Sequence, residues 1–189
     1  MPNIFFISDT HFGHKNICRF TKADGSPLRP WDDPDEMDRE MIARWNAVVG
    51  PKDTVYHLGD VVINRRCLAT LNHLNGDKRL ILGNHDIFDH TDYLKYFKRL
   101  HGSMKLDNLL LSHIPLHIDS VAPWSLANVH GHIHAQDIDH GKYLNVSVEM
   151  IDYRPVELSE LKMRIADKQA KFPIDTAING VMLPAAVQA

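Results

Sequence analysis

Residues 80–88 read LILGNHDIF. Gly83, Asn84, His85 and Asp86 stand between apolar runs, at the point where a buried strand should end. A turn explains Gly83 and Asn84. Both tolerate positive φ, and Asn can close a turn with its own side chain. A turn gives no reason for an imidazole beside a carboxylate. The answer has to come from how other strands of this chain end.

They end alike. Residues 3–8, NIFFIS, are β-favouring and apolar, and they run into Asp9-Thr10-His11. Residues 53–58, DTVYHL, run into Gly59-Asp60, and residues 78–83 run into the opening motif. Between them a helix is expected to start at Pro34, with Asp33 as N-cap and Glu36 three residues on. Met37, Met41, Trp45 and Val48 form its apolar stripe, and Gly50-Pro51 stops it. Residues 65–74 read as helical from Leu68, Leu71 and Leu74, and residues 93–97 as a short helix. The rhythm then changes to strands at 100–106, 109–112, 127–130 and 143–148, with a last helix at 157–170. This order predicts an α/β fold of two packed β-sheets flanked by helices.

The bulk numbers set limits. The 189 residues suit a single domain, with the tail 173–189 carrying no pattern. Hydrophobic residues at 44% and charged residues at 24% are ordinary for a globular protein. A net charge of −3 and a pI of about 6.5 give no basic nucleic-acid footprint. Cys18 and Cys67 form no CxxC pair and no disulfide framework. The start lacks a basic signal-peptide region, and no apolar run approaches the roughly 18 residues of a membrane span. A cytoplasmic protein is expected. The 13 histidines are spread along the chain, so they are neither a tag nor a low-complexity tract.

Polar residues at the carboxyl ends of strands in an open α/β sheet face a common crevice. Ser112-His113 and Gly131-His132-Ile133-His134 come after later apolar runs and join the set. Asp9, Asp60 and Asn84 supply oxygens; His11, His113, His132 and His134 supply imidazoles. Oxygen and imidazole without thiolate suit Mn, Fe, Zn or a similar divalent ion, not a structural zinc finger. Seven groups exceed what one four-coordinate ion takes, so two ions are the economical reading. Each residue alone has a plainer explanation. Asp9 could cap a turn, His113 could be a loop histidine, and a His-x-His pair arises by chance. The joint order overturns those explanations.

The ordered motifs Asp9-x-His11, Gly59-Asp60, Gly83-Asn84-His85-Asp86, His113 and Gly131-His132-Ile133-His134 resemble the calcineurin-like metallophosphoesterases. The stretch FFISDTHFGHKNI resembles the small bacterial and phage-encoded members. The resemblance implies an α/β/β/α sandwich. One metal would take Asp9, His11, Asp60 and His134; the other would take Asp60, Asn84, His113 and His132. It makes His85 the proton donor and Asp86 the group that holds its ring. It implies phosphoester hydrolysis by in-line attack of a hydroxide shared by the two ions.

Residues 12–32 form a loop at the same face, where substrate contacts are commonly carried. His14 and Arg29, with Arg65 after Asp60, are expected to line the substrate. A guanidinium can grip phosphate with two hydrogen bonds. His57 reads as a core histidine. A phosphodiester in a small nucleotide-like or a nucleic-acid substrate is the expected partner, with a phosphomonoesterase or pyrophosphatase as the rival enzyme. A non-catalytic metal-binding scaffold is the rival from another class. Retention of His85 beside every ligand favours catalysis over the scaffold. Oligomeric state leaves no mark on the sequence.

Overall fold

The fold is known from a computed structural model that describes residues 2–121 and 125–174. Most of the expected tail, from residue 175 to 189, lies outside the described residues. The first sheet contains β1 (Ile4–Ile7), β2 (Thr54–His57), β3 (Asp77–Ile81) and β4 (Arg99–His101), all parallel. A short β9 (Val156–Glu157) pairs antiparallel with the free edge of β1, giving the order β4-β3-β2-β1-β9. Ile7 sits opposite His57, and His57 opposite Leu80. The three inner strands therefore finish level, and the segments leaving them arrive at one rim.

The second sheet contains β5 (Ser103–Leu106), β6 (Leu109–Ser112), β7 (Ala127–His130) and β8 (Tyr143–Asn145), in that spatial order. β5 and β6 form an antiparallel hairpin, while β6, β7 and β8 run parallel. The single strand expected over residues 100–106 is two strands in two sheets. Leu100 pairs with Leu80, the chain passes Gly102, and Met104 pairs with Leu111. Alternation reads straight through such a change of sheet, because both halves are extended. The strand expected at 143–148 stops at Asn145, and Val148–Met150 wind into a 3-10 turn.

Among the described residues, four α-helices flank the sheets. α1 (Pro34–Val48) starts where the sequence placed it: Asp33 accepts hydrogen bonds from the backbone N–H of Asp35 and Glu36. Met37, Met41 and Trp45 are buried, and Trp45 Nε1 donates to the carbonyl of Asn75 at 3.0 Å. α2 is His90–Tyr93, capped by Asp89, which accepts from Thr91 N, and it ends where the helix expected over 93–97 begins. α3 is Ile118–Val121, and α4 (Leu158–Lys171) buries Leu161 and Ile165. The helix expected over 65–74 is a 3-10 helix, Arg65–His73. Its leucines recur every three residues, which is the 3-10 repeat and keeps Leu68 and Leu71 on one buried face. No helix among the described residues is long and apolar enough to cross a membrane.

A continuous set of buried side chains runs through both sheets, including Phe6, Tyr56 and Leu80 from the first and Leu111, Val129 and Leu144 from the second. The two-sheet α/β fold is thus the one expected. Asp33→Ala should lower unfolding stability by about 1 kcal/mol through loss of the cap, read from urea denaturation.

Candidate metal centre

Asp9 and His11 come after β1, Asp60 after β2, Asn84 after β3, His113 after β6, and His132 and His134 after β7. These segments are not free loops. Asp9 N donates to Gly59 O at 3.0 Å, His11 N to Asp60 O at 3.1 Å, and Phe12 N to Val61 O at 2.9 Å. The β1–β2 pairing thereby continues past the strands and sets the height of the carboxylates. Asp9, His11, Asp60, His132 and His134 all have positive φ, from 47° to 72°. A left-handed residue turns its side chain out of the strand direction. Asp9 with His11, and His132 with His134, repeat that turn two residues apart. Such backbone is uncommon outside glycine and is found where a site demands it.

Close approach completes the geometry. A Cβ on Gly83 would lie 2.2 Å from Asp60 Oδ1, and one on Gly131 would lie 2.3 Å from Asp9 Oδ2. Only glycine lets the third and seventh strands bring their ligands this near to the first two.

The side chains gather in two clusters: Asp9, His11 and His134, and Asp60, His113 and His132. In each, the candidate ligand atoms lie within 4.8 Å of one another. Asp60 Oδ2 stands between the clusters, 3.6 Å from His11 Nε2 and 3.4 Å from His113 Nε2. Asn84 Oδ1 is 2.9 Å from His113 Nε2, which adds a neutral oxygen to the second cluster. His113 Nδ1 donates to Leu58 O at 2.7 Å, so in the neutral ring Nε2 presents a lone pair. His134 Nδ1 faces Glu149 Oε1 at 3.1 Å, which frees its Nε2 in the same way.

Electrostatics reflects this packing. Burial keeps His11 far below its usual pKa, with the Arg29 charge adding to the effect, so the ring is neutral. Burial raises the Asp9 carboxyl, opposed by His113 and His134. Burial also acts to raise Asp60, but its hydrogen bond and attraction to His113 win and hold it at about 2. His113 is raised because Asp60 and Asp9 outweigh the burial that opposes its charge. Asp9 Oδ1 and both ring nitrogens of His11 are buried without a hydrogen-bond partner. Lone pairs crowded together with few donors are what a divalent cation satisfies.

Other expected residues lie differently. The His85 side chain is 52% exposed, its Nε2 4.0 Å from Asp60 Oδ2. Asp86 does not hold that ring. Its carboxylate accepts from the backbone N–H of Asp60, Gly83 and Val61 at 2.8–3.1 Å, which ties the ends of β2 and β3 together. Those three amides are nearer and need a partner, and they occupy both oxygens. Arg29 is also corrected: it is only 1% exposed, its guanidinium bonded to Glu149 and to the carbonyls of Asp9 and Thr10. Its side chain is removed from solvent. Arg65 is exposed, but its fork grips Asp92 at 2.6 and 2.7 Å, so the bidentate face meant for phosphate is taken. His14 is at the site. Its ring meets His11 edge-on at 5.8 Å, and its Nδ1 accepts from Asn16 N and Ile17 N. With Nδ1 accepting, the neutral ring carries its proton on Nε2.

Three residues that touch the clusters or His14 escaped the sequence. Glu149 backs His134, Ser147 Oγ donates to Asp9 Oδ2 at 2.9 Å, and Phe20 stands 49% exposed beside His14. Glu149 had one signal: a lone acid between Val148 and Met150, just past a strand. Phe20, Leu28, His132, Ile133 and His134 are among the residues lining a cleft of about 740 Å³.

With this geometry in place, the comparisons with known proteins agree. A model of the calcineurin-like phosphoesterase family matches residues 2–172, and the chain belongs to that family. The uncharacterized protein MJ1445 of Methanocaldococcus jannaschii is 35% identical over 184 residues, covering 89% of this chain and 93% of its own. The Gene 66 protein of Mycobacterium phage L5 is 29% identical over 170 residues, covering 71% of this chain and 79% of its own. A crystal structure of a protein of unknown function, AQ665 from Aquifex aeolicus, superposes with a TM-score of 0.63 at 25% identity. That match covers 87% of this chain and all of the other. The family implies divalent metal ions, and the two clusters fit them.

His57 supplies a pH test. It is buried, its Nδ1 accepts from Gly59 N, and its Nε2 bonds Thr10 Oγ1 at 2.9 Å, which donates in turn to Val61 O. Burial pushes its pKa down to about 3. The unfolded ring takes up a proton near its ordinary pKa of 6.5 and the folded ring does not. Stability is therefore lost as pH falls from 6.5 towards 3, by up to about 1.4 kcal/mol per pH unit. Urea midpoints against pH should show this slope in the wild type and a shallower one in His57→Gln.

Proposed function

We propose that this chain is a metal-dependent phosphodiesterase acting as a single domain, with one divalent ion in each cluster and Asp60 shared between them. The observation that carries the reading is the Asp60 carboxylate, set between imidazoles of two separate clusters. Asp9, His11 and His134 would hold one ion; Asn84, His113 and His132 would hold the other. The donor set suits Mn, Fe or Zn, and two free cysteines fit a cytoplasmic setting. When bound, the ions would acidify a water molecule and neutralise phosphoryl oxygens.

The chain's own groups do the rest. His85 is exposed at the edge of the clusters and is the group free to give a proton to the leaving oxygen. Its backbone N–H donates to Asp60 Oδ1 at 2.9 Å, which ties the acid to the shared carboxylate. Asp86 positions both by gripping the amides beneath them. His14 offers its Nε2–H to a phosphoryl oxygen, and the substrate wall runs from His14 to Phe20, replacing Arg29 and Arg65.

The cleft beside His132 and His134 favours a diester over a monoester. A monoester carries one substituent on phosphorus, and this space accommodates a second, with Phe20 placed to pack against it. A small nucleotide-like ester fits that description. Metal-stripped protein reconstituted with Mn²⁺ should hydrolyse bis-p-nitrophenyl phosphate faster than p-nitrophenyl phosphate. Asp60→Asn should abolish turnover, and His85→Ala should lower kcat by ~10²–10⁴. Preference for the monoester would replace the diesterase with a phosphatase, and two bound ions without turnover of either would favour a scaffold. Phe20→Ala should raise KM for the diester several-fold and leave the monoester unchanged, measured by the same assay.

A further inference from the structure

The two clusters differ in what stands behind them. Behind Asp9, His11 and His134 lies the ion pair between Arg29 and Glu149, 2.9 Å long, with both side chains removed from solvent. Glu149 Oε1 also accepts from His134 Nδ1 at 3.1 Å. The rest of the guanidinium donates to the carbonyls of Asp9 and Thr10, at 2.6 and 2.9 Å. Those carbonyls belong to the left-handed turn that carries Asp9 and His11. A single ion pair therefore grips the backbone under two candidate ligands and the ring of the third.

Under the cluster of Asp60, His113 and His132, Asp86 grips backbone amides only, and among the described residues no second carboxylate stands behind either imidazole. His113 Nδ1 faces a backbone carbonyl, Leu58 O. His132 Nδ1 faces His113 Nε2 at 3.2 Å, which is another candidate ligand and not a support. A carboxylate behind a ligating imidazole fixes its tautomer and strengthens it as a donor more than a neutral carbonyl does.

We infer that the two metal positions are unequal: Glu149, held in place by Arg29, makes the Asp9–His11–His134 position the tighter one. The inference rests on the reading of both clusters as metal positions. Glu149 and Arg29 are positioning residues, acting through His134 and through the Asp9–Thr10 backbone. This gives the loop of residues 12–32 a second task, since its Arg29 reaches 120 residues along the chain to complete the support.

Calorimetric titration of metal-stripped protein with Mn²⁺, without substrate, tests this. The wild type should take up two ions of different affinity. Glu149→Gln should weaken the tighter one by ~10–100-fold and leave the other unchanged. In a His134→Ala background, Glu149→Gln should add little, because the ring through which it acts is gone. Arg29→Met with Glu149→Gln removes both charges together and leaves no buried charge unpaired. That double variant should show the same selective loss, and it keeps the test open if Glu149→Gln alone does not fold. Equal weakening of both ions, no weakening, or full additivity with His134→Ala would overturn the inference. So would two wild-type ions of equal affinity, which would leave the phosphoesterase reading standing. A wild type that takes up no Mn²⁺ would overturn both.

Discussion

The two sheets are joined at Ser8, and the site depends on that seam. Its N–H donates to Val146 O, its carbonyl accepts from Val148 N, and its hydroxyl donates to Leu58 O. One buried residue thus ties the end of β1 to the end of β2 and to the chain leaving β8. A Cβ on Gly131 would fall 2.0 Å from the Ser8 hydroxyl, so the end of β7 also meets this point with no space between. Hydrogen bonds in a dry interior hold their geometry closely, because a displaced donor or acceptor has no water to turn to. The carboxyl ends of strands from two sheets are therefore pinned within a few ångströms, and their ligands converge.

The convergence opposes folding. Five candidate ligands adopt left-handed backbone, and strain of this kind is worth about 1–3 kcal/mol each at such sites. Two buried carboxylates and four imidazoles with few donors between them add desolvation to that strain. The compensation is local. Three backbone amides neutralise Asp86, the hydroxyl of Ser147 and the amide of His132 serve Asp9, and Arg29 neutralises Glu149. Divalent ions would supply the remaining positive charge, so metal binding and folding stability are linked in this centre.

Arg29 shows how position in the fold changes the meaning of a residue. An arginine in a long loop facing the site reads as a phosphate ligand, since exposed guanidinium serves that purpose well. Folding instead draws its side chain inside, beneath the turn that carries Asp9 and His11. The loop then contributes Phe20 to the cleft and Arg29 to the packing behind the Asp9–His11–His134 cluster. Arg65 is lost to the substrate for a simpler reason: Asp92 comes from α2, 27 residues away, and reaches it first.

Local sequence was enough to reveal most of the strands, the capped helix α1 and the family. Periodicity and strand-end polarity are short-range signals, and Asp9, His11, Asp60, Asn84, His113, His132 and His134 all stand at the ends of apolar runs. Packing between distant segments set the remainder. The chain's passage between sheets at Gly102, the amides held by Asp86 and the Arg29–Glu149 pair each depend on which segments meet. Spacing along the chain does not encode a contact between residues 29 and 149, nor the burial that turns an expected phosphate ligand into a support for the backbone of Asp9 and Thr10. Those contacts exist only once two sheets are packed at Ser8, because only then do distant polar groups lose water and need each other.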